Sequence, residues 1–102
     1  MPGQKTGMLV GTMSFVTGSP KTGPSLGDAA NVTVELEYKG LSVCLVSNDH
    51  GDYIVKMPKG TYCLKSARSA DNKSLRFSPY QSKCFKIEPN KDTRFDVMLL
   101  KP

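Results

Sequence analysis

Basic side chains are interleaved with aromatic ones along residues 68–83, and this is the combination of residue types in the chain that comes closest to a ligand-binding site. The candidate contact residues, on this segment and its flanks, are Lys65, Arg68, Lys73, Arg76, Phe77, Tyr80, Lys83 and Lys86. Cationic groups hold an anionic backbone while aromatic rings stack on bases or sugars. The pattern therefore predicts contact with single-stranded nucleic acid, an acidic glycan or a phospholipid surface. The alternative is that Phe77 and Tyr80 pack the segment onto the body of the protein, as aromatic residues of compact surface loops do.

His50 is the second candidate for chemistry, because it is the only histidine and lies between Asp49 and Asp52. A histidine beside carboxylates can act as a base or a metal ligand. However, the sequence places no nucleophile beside it, and the two aspartates lack the regular spacing of a calcium loop. The three cysteines also lack the paired spacings of a zinc site. We therefore expect no catalytic residue, no metal and no cofactor, and interpret His50 as a solvated turn residue.

Length and charge limit the class of protein. The chain has 102 residues and a net charge of +5, which fits one domain. Residues 1–55 carry three basic and five acidic groups, whereas residues 56–102 carry eleven and four. This asymmetry is compatible with an anionic partner, although it more often marks the solvated face of strands. The longest apolar runs, residues 43–46 and 97–100, are far shorter than the roughly 20 residues of a membrane span, and no signal peptide is recognisable.

The elements that position these residues are strands. Apolar and polar residues alternate with a period of two, and no stretch has a helical period. The predicted strands cover residues 8–16, 32–38, 41–47, 53–57, 61–67, 82–88 and 93–100. The expected buried side chains are Leu9, Val34, Leu36, Tyr53, Tyr62, Phe85 and Phe95. Seven short strands separated by turn residues predict an all-β fold, a seven-stranded antiparallel β-sandwich with an immunoglobulin-like or prealbumin-like Greek key. Two long connections remain, residues 17–29 and 68–81, and residues 1–7 are expected to form a flexible tail.

Strand register predicts a disulfide between Cys63 and Cys84. Tyr62 and Phe85 face inward on the fifth and sixth strands, so both cysteines face outward. If these strands form a hairpin around residues 68–81, pairing Cys63 with Cys84 centres it between residues 73 and 74, near the middle of that loop. Directly opposed cysteines there approach disulfide geometry, and Cys44 is expected to stay free. The alternative is three reduced thiols in a cytosolic protein, since the compartment decides whether the bridge forms.

The turns carry a further pattern. Its pieces are Gly11, Ala30-Asn31-Val32, Asp49-His50-Gly51-Asp52-Tyr53, Pro58-Lys59-Gly60-Thr61-Tyr62 and Phe95-Asp96-Val97-Met98-Leu99. Their order and spacing resemble the carboxypeptidase regulatory-like domain, also called the prealbumin-like or transthyretin-like sandwich, over residues 8–100. In physical terms, we expect Asp49 to accept hydrogen bonds within its turn, Gly51 to adopt a positive φ, and Pro58 and Gly60 to shape the next turn.

The resemblance implies a domain that is usually non-catalytic and is appended to enzymes, secreted proteins, receptors and outer-membrane machinery. Fold alone does not fix function. The urate-pathway hydrolase of similar fold needs several histidines, and pilin-like sandwiches with isopeptide crosslinks need a Lys in the first strand and an Asn in the last; this sequence has neither. We therefore expect a structural or protein-interaction module, not an enzyme, which belongs to a larger extracytoplasmic protein and contacts another protein or a neighbouring domain. The alternative is a small recognition or carrier domain that binds an anionic ligand through residues 68–83, and a cytoplasmic location stays open.

Overall fold

The computed structural model describes residues 5–16 and 25–100, which form ten β-strands and no helix. The strands are β1 (Thr6–Val16), β2 (Ser25–Asp28), β3 (Thr33–Tyr38), β4 (Leu41–Val46), β5 (Asp52–Pro58), β6 (Gly60–Arg68), β7 (Ser74–Leu75), β8 (Cys84–Ile87), β9 (Asp92–Arg94) and β10 (Val97–Leu100). They make two sheets of five strands each. The predicted all-β class is confirmed.

The first sheet is built around β1. On one edge, β5 pairs antiparallel with the first part of β1 and β2 pairs antiparallel with its end. On the other edge, β9 and then β10 run parallel to β1, with Met13 opposite Val97. The expectation of a purely antiparallel fold is therefore wrong at this edge. The first and last strands are joined by no hairpin, so no turn sequence sets their relative direction.

Gly11 allows the last part of the chain to approach β1 closely. A Cβ atom on Gly11 would lie 2.0 Å from the carbonyl oxygen of Phe95 and 2.6 Å from the hydroxyl of Tyr53. The ladder is interrupted between β9 and β10, where a carboxylate oxygen of Asp96 accepts the hydrogen bond of the Thr12 amide at 3.0 Å. A side chain thus takes the place of a backbone acceptor at the break.

The second sheet has the order β4-β3-β6, and the far edge of β6 pairs first with β8 and then with β7. Leu36 lies opposite Leu64, but Glu35 lies opposite Ser66, so Lys65 is an extra residue in β6. This bulge changes which residues face inward, from Tyr62 before it to Ala67 after it.

The inward faces of both sheets share one hydrophobic core. All seven side chains that the alternation predicted to be buried are buried, with exposures of 8% or less. Four rings follow one another through this core: Tyr38 and Tyr62 stack with centroids 4.3 Å apart, Tyr62 and Phe85 are 5.5 Å apart, and Phe85 and Phe95 are 4.4 Å apart. The Tyr62 hydroxyl donates a hydrogen bond to the Pro58 carbonyl at 2.6 Å, and burial raises the pKa of Tyr62 to about 12.

Ten strands replace the predicted seven for three reasons. A strand, β2, lies in the connection 17–29; another, β7, lies in the connection 68–81; and the last predicted strand is divided into β9 and β10. In addition, β1 begins at Thr6, inside the stretch assigned to a tail. Residues 1–4 of that tail and residues 17–24 of the first connection lie outside the described residues.

The third turn differs from its predicted hydrogen bonding. Asn48, rather than Asp49, accepts the turn's backbone bonds, from the amides of His50 at 2.8 Å and Asp52 at 2.9 Å. Asp49 instead accepts a hydrogen bond from the Asn31 side chain at 3.0 Å. Gly51 has a φ of 80°, the positive value that was expected of it.

Candidate functional site

The hairpin that carries the candidate residues is held at its base by the Cys63–Cys84 disulfide. The two cysteines are direct partners in the ladder between β6 and β8, in the register that places Gly60 opposite Ile87. The neighbouring Leu64 amide donates to the Lys83 carbonyl at 2.7 Å. Because hydrogen-bonded and non-hydrogen-bonded pairs alternate in such a ladder, the cysteines occupy a non-hydrogen-bonded pair, where the strands lie closest. Their Cα atoms are 4.0 Å apart, and the predicted pairing is confirmed.

Beyond the disulfide, the two arms of the hairpin differ in length. Pairing resumes where β7 meets the end of β6, with Ala67 opposite Leu75 and Arg68 opposite Ser74. Between the two paired regions, residues 76–83 of the returning arm stand against residues 64–66 of the outgoing arm. The longer arm therefore cannot remain in the second sheet.

The excess chain crosses to the open edge of the first sheet. Phe77 forms a bridge with Leu99, the Ser78 amide donates to the Met98 carbonyl at 2.9 Å, and the Leu100 amide donates to the Arg76 carbonyl at 2.8 Å. Residues 76–81 thus cover the edge of β10 and tie the two sheets together.

Gln81 anchors this crossing, and the sequence did not single it out. Its amide nitrogen donates to the Asp96 carbonyl at 3.1 Å, and its carbonyl oxygen accepts from the Met98 amide at 2.5 Å. The residue is only 8% exposed. In the sequence, a glutamine that anchors a loop looks the same as a glutamine that is exposed to solvent. The role of Gln81 therefore becomes visible only once residues 76–81 are seen to cross to the first sheet.

Three of the eight predicted contact residues come together around a depression of about 240 Å³. Lys65, Phe77 and Lys83 line it with Leu64, Ser78 and Gln81. Phe77 is half-buried and packs against the core, so its ring also performs the packing role that the alternative interpretation gave it. The depression offers two ammonium groups and one ring, which suits the binding of a small anion, whereas the Gln81 amide is already bonded to Asp96 and Met98.

Nearby carboxylates partly neutralise two of the lysines. Lys65 lies 3.9 Å from Glu35, and Lys73 lies 3.7 Å from Asp71 at the hairpin tip. Hydrogen bonds from Ser42 and Ser66 lower the pKa of Glu35, and the hydrogen bond from Ser69 lowers that of Asp71. Both carboxylates therefore stay ionised at neutral pH beside their lysines, which weakens the local attraction for an anion.

The other five predicted residues do not line this depression. Arg68, Lys73, Arg76 and Tyr80 are exposed, with Tyr80 51% exposed. Lys86 lies opposite Thr61 near the start of β6, at the far end of the hairpin from its tip.

Lys86 instead lines a second basic depression, of about 390 Å³, together with Lys39 and Lys59. The Tyr38 hydroxyl donates to the Lys59 carbonyl at 2.7 Å and so joins the two turns that carry these lysines. Sequence reasoning missed Lys39 and Lys59. The available signal was the pair of Lys-Gly turns, Lys39-Gly40 and Lys59-Gly60, which precede β4 and β6, the two strands on either side of β3.

No protein-family model matches the chain, and no curated protein sequence matches it. Among solved structures, the chain is similar to a leucine-rich repeat protein from Bacteroides thetaiotaomicron, with a TM-score of 0.58 and 13% identity over 93% of this chain and 12% of that one. It is also similar to the Bacillus anthracis TIE protein, with a TM-score of 0.59 and 10% identity over 95% of this chain and 17% of that one. At such identities the likeness concerns the fold alone. The chain spans less than one fifth of each of these proteins.

Proposed function

We propose that this chain is a non-catalytic β-sandwich module, of the carboxypeptidase regulatory-like or prealbumin-like Greek-key kind, that serves as a structural or protein-interaction unit of a larger protein. The observation that carries the proposal is the likeness of nearly the whole chain to a small part of two much longer chains. A fold that recurs as one segment of longer proteins acts as a building block. The single core shared by the two sheets and the positive φ of Gly51 are consistent with this module.

We further propose an extracytoplasmic location. The Cys63–Cys84 disulfide supports it, because structural disulfides persist in oxidising compartments and are rare in the cytosol. The described residues include no helix long and apolar enough to cross a membrane.

The proposed contact surface for a protein partner is segment 68–81, which comprises the hairpin tip and the crossing residues 76–81. Arg68, Arg76 and Tyr80 are exposed on a segment that the disulfide and Gln81 hold in place, so a partner would meet side chains on an ordered backbone. Such preorganisation reduces the entropy lost on association.

The test uses the full-length gene product in its own cells. A photo-crosslinking residue at position 80 should capture a second protein or a neighbouring domain of the same polypeptide, which peptide mapping identifies. Reversing Arg68, Lys73 and Arg76 to Glu should abolish the crosslink. The matched control reverses three exposed lysines elsewhere, Lys56, Lys59 and Lys91, and should retain it. A crosslink that survives the first reversal would move the contact away from this segment.

The depression between Lys65 and Lys83 favours a second candidate function, the binding of an anionic ligand. Heparin is a suitable probe, because affinity that depends on released counterions falls steeply as salt rises. This candidate requires a Kd for heparin that weakens at least tenfold between about 50 and 200 mM salt, and further in the Lys65→Gln Lys83→Gln variant. Equal binding by this variant and by the Lys56→Gln Lys91→Gln control would show only general attraction to a basic protein.

A further inference from the structure

The second sheet is open along its β4 side. No strand of residues 5–16 or 25–100 pairs with the outer edge of β4, whose other edge pairs with β3. The Ser47 amide donates to the Val32 carbonyl at 3.0 Å, which fixes the phase of the ladder. Because bonded and non-bonded pairs alternate, Ser42, Cys44 and Val46 direct their backbone N–H and C=O groups away from β3. The opposite side of the molecule differs, since residues 76–81 cover the edge of β10 there.

This edge carries none of the features that usually protect an edge strand. Natural edges are blunted by charged residues, proline or bulges, and Leu41–Val46 contains no charged residue and no proline, and pairs with β3 without a register shift. The edge strand β5 of the first sheet contains Asp52, Lys56 and Pro58. Two of the most exposed large apolar side chains, Leu41 at 66% and Val46 at 56%, belong to β4.

We propose that β4 pairs antiparallel with β4 of a second copy of this chain, about a two-fold axis at Cys44. Of the in-phase registers, this one alone uses all three outward residues, with Ser42 opposite Val46 of the second copy and Cys44 opposite Cys44. It also places Val43 opposite Leu45 on the inner face, so that apolar side chains meet apolar side chains.

Charge does not oppose this register. The stretch Leu41–Val46 is uncharged, so that two molecules of net charge +5 approach along it without like charges directly opposed. The interface is small, so the dimer forms weakly and reversibly.

Cys44 makes the register measurable. It is free and exposed, and Cα atoms of a hydrogen-bonded antiparallel pair are about 5.5 Å apart, within disulfide range. In a buffer of oxidised and reduced glutathione, the two Cys44 thiols form one S–S bond and pass two electrons and two protons to oxidised glutathione.

The first experiment incubates the protein, with its Cys63–Cys84 bridge intact, in that buffer and maps its peptides without reduction. We expect a covalent dimer linked through Cys44 on both copies. Protein that stays monomeric, with Cys44 carrying glutathione or remaining a free thiol, would overturn the proposal.

The second experiment tests the register. On a Cys44→Ser background, Ser42→Cys protein alone should not crosslink, whereas a mixture of Ser42→Cys and Val46→Cys proteins should form the heterodimer. Self-linking of Ser42→Cys as efficient as the mixed link would overturn the register.

The third experiment measures association without a crosslink. Sedimentation at rising concentration should show a reversible dimer that Cys44→Lys removes, and the matched edge variant Ile54→Lys on β5 should leave it intact. If Cys44→Lys does not fold, Ser42→Lys places the charge on the same edge. Association unchanged by either charge on β4 would contradict the proposal.

Discussion

Removing the Cys63–Cys84 bridge should lower the free energy of unfolding by about 3 kcal/mol. The bridge closes a loop across a sequence separation of 21 residues. In the chain-entropy model, a loop of roughly this length restricts the unfolded chain by about 3 kcal/mol at 25 °C. For a domain of this size, such a loss corresponds to a melting temperature lower by roughly 12 to 24 °C.

The assay compares the wild type with the Cys63→Ala Cys84→Ala variant by urea unfolding, followed by circular dichroism. Alanine at both positions suits the site, because the cysteines lie on the outward face of the second sheet and no core contact is lost. Cys44→Ser is the matched control and should change stability by no more than about 0.5 kcal/mol. Reductant should destabilise the wild type and leave the double variant unchanged.

A double variant within 1 kcal/mol of the wild type would refute this reasoning. It would mean that the hairpin contacts already restrict the unfolded chain, or that the bridge is absent in solution. Counting thiols on unreduced, denatured protein distinguishes these two explanations, since one free thiol is expected if the bridge is present and three if it is absent.

Three further variants test the packing of the fold. Gly11→Ala should cost about 3 kcal/mol or more by urea unfolding, because its Cβ would lie 2.0 Å from a backbone oxygen of Phe95 that cannot move aside; a change below 1 kcal/mol would contradict the close approach. Gln81→Ala should cost about 1 to 3 kcal/mol and speed exchange of the Met98 amide, which loses its acceptor; unchanged exchange would contradict the anchor. Burial raises the pKa of Tyr62 to about 12, so the stability that depends on its neutral hydroxyl is complete below pH 10 and is lost as the pH rises toward 12. Over that range the free energy of unfolding should fall less in Tyr62→Phe than in the wild type. Equal dependence on pH in the two proteins would contradict this expectation.

The alternation of apolar and polar residues predicted much of the fold, because most strands have one buried face and one exposed face. It placed Leu9, Val34, Tyr62 and Phe85 in the core. Because hairpin register follows from which residues face inward, it also predicted the disulfide partners.

Non-local pairing could not be predicted in the same way. The parallel contact of β1 with β9 and β10 joins strands at opposite ends of the chain, and the sequence of neither strand specifies its direction relative to the other. The crossing of residues 76–81 depends on the bulge at Lys65 and on the unequal arms of the hairpin, which alternation alone does not reveal. For the candidate site, composition indicated the basic segment, but the division of its lysines between two depressions follows from the strand register.

The most direct test of the proposed module is mass spectrometry of the native polypeptide, recovered from its source with an antibody against this domain after trapping free thiols. The proposal predicts one polypeptide much longer than 102 residues that contains this sequence, with Cys63 and Cys84 joined and Cys44 outside that bridge. A free polypeptide of 102 residues carrying three reduced thiols would contradict both the larger protein and the oxidising compartment.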